Sequence, residues 1–217
     1  MEAFLNGEDI HAKVATEVFG EVNSEIRKQA KVVNFSILYG STSYSFAKKF
    51  NKSQEESDAF YLKYKSKHRK LFAWVEAIQK QAARLGVVYT AFGRPRRLYH
   101  WFASFDMKVK AFARRSAINS LVQGTAADIL RISIVKYYKR IWKKYPDVVK
   151  FRMTVHDEID VQIRRDSLFL IDLIEETLTF RRKDWPVPLT VGVELGTSWG
   201  DLVEFEKKDG TWVPKKK

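Results

Sequence analysis

The sequence predicts an α+β fold. Segments with helical spacing of apolar residues alternate irregularly with a few short runs of strand-like alternation, and no regular βαβ repetition ties them together. A second observation is that 45% of the residues are hydrophobic and 14% aromatic, enough apolar material for a real core and against wholesale disorder. The third is length: 217 residues suit one domain or two small ones, and no boundary separates independent domains.

The elements follow in order. Glu8 to about Gly20 reads as a short helix with apolar positions Ile10, Val14, Val18 and Phe19. Ser24 is placed to cap a second helix that runs to about Tyr39 and stops at Gly40. Ser53-Gln54-Glu55-Glu56 is a capping-box signal, in which Ser53 bonds the Glu56 backbone N–H and Glu56 bonds back. The stretch it opens carries Phe60, Tyr64, Leu71, Trp74, Val75 and Ile78 and ends at Gly86; basic, polar Lys65–Lys70 interrupts the pattern and predicts two helices. The run Val87–Phe92 is β-rich and meets a turn at Gly93-Arg94-Pro95. From Ala113 to about Tyr145 a long helix is expected, with a stripe at Ile118, Leu121, Val122, Thr125, Ile129, Ile132 and Val135, ended by Pro146. Phe151–Val155 and Ile159–Ile163 alternate around His156-Asp157-Glu158 and predict a hairpin. A helix over about Ser167–Phe180 and a final strand over Val187–Leu195 complete the chain, before a lysine-rich tail at Lys215–Lys217.

Composition narrows the function. Cysteine is absent, which excludes a disulfide scaffold, a thiolate metal site and a cysteine nucleophile, and suits a reducing compartment. No stretch approaches about 18 uncharged apolar residues, so no membrane partner is expected. Met1-Glu2-Ala3-Phe4 has no basic region leading into an apolar run, so no secretion signal and a cytoplasmic location are expected. The chain has 39 Lys+Arg against 26 Asp+Glu, a net charge of +13. Such an excess concentrates polyanions. Six Trp, nine Tyr and fifteen Phe add stacking surfaces, which points to nucleic acid. The alternative is a basic, solvated surface without a specific ligand.

Three constellations carry chemistry. On a helix, Arg27 and Lys31 sit at i and i+4, and Phe35 and Tyr39 continue the same face with a slow drift. Two cations suit a triphosphate, and a flat ring suits a base. The same spacing also serves an amphipathic helix with a solvated basic side and Phe35 and Tyr39 in the core. Asp157 and Glu158 at a hairpin tip are adjacent carboxylates, costly together unless a cation neutralises them. Hard oxygen ligands of this kind suit Mg²⁺, although an ordinary polar turn reads alike. Arg115, Asn119 and Gln123 recur every fourth residue, a polar ridge able to contact phosphates and minor-groove acceptors, or simply a solvated helix face.

The full strings resemble those of family A (polymerase I-like) DNA polymerases. Arg27 to Gly40 is similar to motif B, R-x-x-x-K-x-x-N-F-G-x-x-Y-G, with Ser36 where the family usually has glycine. Met153-Thr154-Val155-His156-Asp157-Glu158-Ile159 resembles motif C, with Thr154 where glutamine is often seen. Asn119 to Asp128 matches N-x-x-V-Q-G-T-A-A-D, Phe92-Gly93-Arg94 begins an F-G-R-x-R segment, and Asp9-Ile10-His11 matches D-I-H. Val187-Pro188-Leu189 through Trp199 resembles the family's carboxyl-terminal strand, so the blocks run in family order from Asp9 to Trp199. The resemblance implies helical fingers over about residues 8–100 and part of an antiparallel palm sheet over about 101–217, a single carboxyl-terminal polymerase region. It implies that His11, Arg27, Lys31, Phe35 and Tyr39 bind the dNTP, with Lys31 also catalytic alongside Asp157 and Glu158. Arg115, Asn119, Gln123 and His156 would contact primer-template DNA, and Asp157 and Glu158 would ligand magnesium.

The family's reaction is in-line attack of a primer 3′-hydroxyl on the α-phosphate, with two metal ions about 3.5–4 Å apart stabilising the attacking and leaving oxygens. The metals are bridged by two aspartates, one from motif C and one that opens a D-Y-S-x-x-E-L-R-like motif A. Motif A precedes D-I-H in the family and is not in this sequence, and neither is the thumb. The expectation is therefore the carboxyl-terminal piece of a split DNA-directed DNA polymerase, completed by an amino-terminal polypeptide that carries motif A; a truncated gene is the competing reading. A non-catalytic nucleic-acid-binding remnant is the alternative function. A metal-dependent nuclease on His156, Asp157 and Glu158 comes last, because no second acidic cluster accompanies them.

Overall fold

The computed structural model describes residues 5–20 and 22–215. The opening tetrapeptide and the tail lysines Lys216 and Lys217 lie outside the described residues, as do the side chains of Val18 and Phe19 expected in the first apolar pattern. The fold is α+β, with helices and small antiparallel sheets, and it forms two compact units, Met1–Ala126 and Ala127–Lys217. Among the described residues no helix is long and apolar enough to cross a membrane.

In the first unit, α1 spans Ile10–Phe19, is capped by Asp9, and ends at Gly20 in the left-handed conformation. Helix α2 spans Ser24–Leu38. Its cap is Asn23 rather than Ser24: the Asn23 side chain accepts from the Ile26 N–H at 2.8 Å, three residues on, which is the N-cap geometry. Helix α3, Ser43–Phe50, was not legible in the sequence. Its eight residues are mostly moderate helix formers, and it forms because Phe46 is buried against Phe50 and Phe60 at ring separations of 4.5 and 4.4 Å. Both bonds of the Ser53–Glu56 capping box are present at the start of α4, Gln54–Lys67. The expected break falls at His68, and α5 runs Arg69–Leu85 to a left-handed Gly86. Strands β1, Val87–Tyr89, and β2, Pro95–Arg97, form the small hairpin, and a short α6 covers Tyr99–Ala103.

Two apolar clusters hold this unit. One gathers Val14, Ala15, Ala30, Val33, Phe46 and Tyr64. The other packs Ala82, Val88, Leu98 and Ala117 with Trp101 and Phe102 against them.

The long helix α7 spans Met107–Tyr137, and a π-helical turn follows at Tyr138–Trp142. It begins six residues before the predicted start because Asp106 accepts the Lys108 N–H at 2.7 Å and caps it. The predicted stripe is only partly its buried face. Ile118 is buried, but Val135 is exposed, and Ala113, Ala117 and Tyr137 are the fully buried positions. The two ends of the helix pack into different cores, Ala117 in the first unit and Tyr137 in the second, so one continuous stripe does not describe it.

The second unit is centred on Tyr137, Ile141, Val149 and Leu170. Strands β3, Val149–Val155, and β4, Glu158–Ile163, form the expected hairpin, with a register shift between Phe151 and Met153. Helix α8 spans Leu170–Leu178, shorter than predicted because a 3₁₀ turn takes Arg165–Ser167. The predicted strand over Val187–Leu195 is corrected. Only Val193–Leu195 (β5) pairs as a strand, and Leu189 makes an isolated bridge to Phe180. Pro186 and Pro188 supply no N–H to a ladder, which shortens the run. Strand β5 instead edges a three-stranded sheet with β6, Val203–Lys208, and β7, Thr211–Pro214. The turn between β6 and β7 is Asp209-Gly210, both at positive φ, the Asp-Gly geometry favoured in two-residue hairpins.

Candidate nucleotide and metal-binding sites

The candidate nucleotide site is built on one face of α2 in the first unit. Ala30 and Val33 are fully buried and fix the opposite face in the core. That leaves Arg27 and Lys31 exposed and Phe35 46% exposed, so Phe35 is not a core residue. Tyr39 follows the helix, half-buried, its ring 6.4 Å from that of Phe35 at an interplanar angle of 12°. Two cations followed by two stacked rings therefore share a solvent-facing strip.

His11 stands beside that strip on the first turn of α1, its ring 5.9 Å from that of Phe35. Its Nδ1 lies 3.1 Å from the Asn34 side-chain Nδ2, and the Tyr64 hydroxyl donates to Asn34 Oδ1 at 2.7 Å. Asp9 does two jobs. It caps α1 by accepting from the His11 and Ala12 N–H groups at 2.9 and 3.1 Å, and it accepts from the Arg27 guanidinium Nε. The Arg27 hydrogen bond, helped by the backbone N–H groups, holds the Asp9 carboxyl below the usual carboxylate value. Burial pulls the His11 ring below its ordinary value; Asp9 opposes this, and Arg27 and Lys31 reinforce it.

The polar ridge of α7 meets the end of this strip. Gly40 has φ +85°, and a Cβ there would lie 2.8 Å from Arg115 Cγ. Only glycine leaves that space. Arg115 and Gln123 are exposed, whereas Asn119 is half-buried, and its buried Oδ1 has no hydrogen-bond partner. The ridge is thus less evenly solvated than its spacing predicts. The Phe92-Gly93-Arg94 turn docks at the end of the ridge. Arg94 donates to the Gly124 carbonyl at 2.9 Å and the Ala91 N–H donates to Thr125 Oγ1 at 3.0 Å. A Cβ on Gly124 would meet Thr90 Cγ2 at 2.9 Å, so the Q-G-T block is shaped to receive the F-G-R turn.

The carboxylates belong to the second unit. Val155 pairs with Glu158, leaving His156-Asp157 as a two-residue turn with His156 at φ +54°. A non-glycine residue there costs about 1–2 kcal/mol, although histidine is among the residues found there more often. His156, Asp157 and Glu158 are all exposed. The carboxylate oxygens of Asp157 and Glu158 fit Mg²⁺, which takes one or two carboxylates and completes its octahedron with waters and phosphates. They do not make a cage by themselves: among the described residues, no group of three or more His, Cys, Asp or Glu side chains is arranged to hold a metal ion.

Two contributors escaped the sequence reading. Asn34 stood inside the quoted motif without a role, and Tyr64 counted only as an apolar helix position. The two are 30 residues apart, and no local spacing joins them. The Asp9–Arg27 pair, 18 residues apart, is equally invisible to a periodicity argument.

Comparison with known proteins agrees over nearly the whole length. DNA polymerase I of Caldicellulosiruptor bescii is 33% identical over 203 residues, covering 92% of this chain and 24% of the relative. DNA polymerase I of Bacillus subtilis is 31% identical over 205 residues, covering 93% of this chain and 23% of the relative. The POL domain of Pol1 from M. smegmatis, solved in complex with DNA primer-template and dNTP, matches with a TM-score of 0.77 and 28% identity, over 87% of this chain and 34% of that one. The chain spans about a quarter of the length of these curated relatives. The model of DNA polymerase family A matches residues 1–201, and the chain belongs to that family.

Proposed function

We propose that this chain carries the nucleotide-binding arm and part of the metal-binding machinery of a template-directed DNA polymerase, which transfers a nucleotidyl group to a primer 3′-hydroxyl. The observation that carries the reading is the exposed Arg27–Lys31–Phe35–Tyr39 strip with His11 held beside it. The family relationship and the DNA primer-template and dNTP of the M. smegmatis complex support it.

In this reading Arg27 and Lys31 bind the triphosphate, the first through a planar fork and the second as a point charge. Lys31 counts as catalytic because it faces the charge that develops on the leaving pyrophosphate. His11 donates to a phosphate oxygen, Phe35 packs on the sugar and base, and Tyr39 stacks at the template position. Arg115, Asn119 and Gln123 contact the primer-template duplex, with phosphates and minor-groove acceptors as sequence-independent targets. His156 contacts the primer end. Asp157 and Glu158 hold Mg²⁺, which when bound supplies the positive charge that lowers the cost of the attacking and leaving oxygens. Residues from about 8 to 100 act as fingers, and those from about 101 to 217 as distal palm.

In this reading a second carboxylate for the metal site, and the thumb, would be supplied by residues other than these 217, in the same polypeptide or in a separate amino-terminal partner. The test is primer extension with Mg²⁺ and dNTPs, by this chain alone and mixed with a polypeptide that carries a D-Y-S-x-x-E-L-R-like run. Incorporation only in the mixture, lost with Asp157→Ala, is expected. The second reading is a nucleic-acid-binding remnant without catalysis. The net charge of +13 favours it. DNA binding without incorporation in either arm would establish it.

A further inference from the structure

We propose that Tyr64 and Asn34 are positioning residues that act through His11: their hydrogen bonds fix the ring with its proton on Nε2, leaving that N–H as the donor to a phosphate oxygen of the bound nucleotide. The inference rests on the reading of the α2 strip as a triphosphate site.

Tyr64 is 3% exposed, and a buried hydroxyl has to be bonded. It donates to Asn34 Oδ1 at 2.7 Å, in the amide orientation that turns the carbonyl toward Tyr64. The other end, Nδ2, can only donate, and it lies 3.1 Å from His11 Nδ1. A ring nitrogen that accepts carries no proton, so a neutral His11 keeps its single proton on Nε2. The surroundings favour the neutral ring. Burial, with Arg27 and Lys31 nearby, disfavours the charged ring, and Asp9 opposes them more weakly. A neutral donor here adds no charge to a strip that already holds two cations.

The relay joins three helices. His11 is on α1, Asn34 on α2 and Tyr64 on α4, at sequence separations of 23 and 30 residues. Tyr64 sits in the cluster with Val14, Ala30 and Val33, so the ring orientation is anchored to the core of the unit rather than to a loop. The Phe35 ring at 5.9 Å bounds one side of the imidazole. With the amide turned over, Asn34 Oδ1 would accept from an Nδ1–H, and His11 would offer a phosphate only a bare, repelling Nε2. The orientation of one side-chain amide therefore decides whether His11 attracts or repels the nucleotide.

Nitrogen-15 imidazole NMR on the histidine-labelled chain near pH 7.5 reads the tautomer directly, with the His11 signals identified by their loss in His11→Gln. The wild type should show the Nε2–H form. Tyr64→Phe keeps the ring in the core and removes only the donor. It should shift His11 toward a mixture and weaken dATP binding about threefold to tenfold. Asn34→Asp is nearly isosteric and can only accept, so it should place a proton on Nδ1, as the Nδ1–H tautomer or the imidazolium, and remove the neutral Nε2–H form. A wild-type ring protonated on Nδ1, or a tautomer unchanged in both variants, overturns the relay even if dATP binds. A wild type that shows the expected tautomers yet binds no dATP overturns the triphosphate reading instead.

Discussion

Gly40→Ala is the sharpest single perturbation of the arrangement between the α2 strip and the α7 ridge. Gly40 sits at φ +85°, where a residue with a Cβ costs about 1–2 kcal/mol. The added Cβ would also stand 2.8 Å from Arg115 Cγ and 3.3 Å from its Cδ. Carbon atoms prefer about 3.5–4.0 Å, so the overlap is about 0.7 Å or more. Cγ lies too near the backbone to swing clear without a change of rotamer, which costs about 0.5–1.5 kcal/mol. The expected loss is about 1.5–3.5 kcal/mol, read as a shift of the urea midpoint by circular dichroism at constant slope. The two parts separate in a double-mutant cycle. In an Arg115→Ala background the crowding is gone and only the backbone cost of about 1–2 kcal/mol remains. A loss below about 0.5 kcal/mol in the wild-type background, or the same loss in both, would refute the close approach. Displacing Arg115 should also flatten the salt dependence of primer-template binding by about one unit of slope.

Lys31→Ala should weaken dNTP binding about tenfold or more, the scale of a charge-assisted hydrogen bond, while changing duplex affinity less than about threefold. Equal losses in the two titrations would show that Lys31 is a general phosphate contact. Ser53→Ala removes one arm of the capping box and should cost about 1 kcal/mol, seen as faster amide exchange in the first turn of α4. Stability should also fall on the acid side in two steps. The unfolded chain protonates His11 near about 6.5, while burial makes the folded ring resist the proton, so stability is lost as pH drops from 7 toward 5. Asp9, held low by Arg27, contributes stability above its unfolded value of about 3.9 and loses it as pH falls toward its folded value. Urea midpoints across pH should show His11→Gln flattening the first step and Asp9→Asn the second. A slope between pH 7 and 5 unaltered by His11→Gln would contradict the burial argument.

The sequence by itself determined what depends on neighbours along the chain. The capping box at Ser53, the break near His68, the left-handed glycine at Gly86 and the hairpin around His156-Asp157 are local, because each is set by hydrogen bonds and dihedrals within a few residues. The spacing of Arg27, Lys31, Phe35 and Tyr39 likewise put them on one helical face, while the resemblance to the family rested on the full motif strings. Where local preference was weak, long-range packing decided the element. Helix α3 exists because Phe46 finds Phe50 and Phe60, and the strand expected from Val187 shrank because two prolines withhold donors while its remaining end pairs with β6. The Asp209-Gly210 turn was a legible hairpin signal that the charged residues around it obscured.

Only the tertiary structure decided which way the strip faces and what holds His11. Whether Phe35 is core or solvent-facing depends on Ala30 and Val33 being buried on the other side, and spacing alone serves both outcomes. The Asp9–Arg27, Asn34–His11 and Tyr64–Asn34 contacts join residues 18 to 30 positions apart. Each is made by side chains brought together through the packing of separate helices, and periodicity records the face of a helix but not its neighbour.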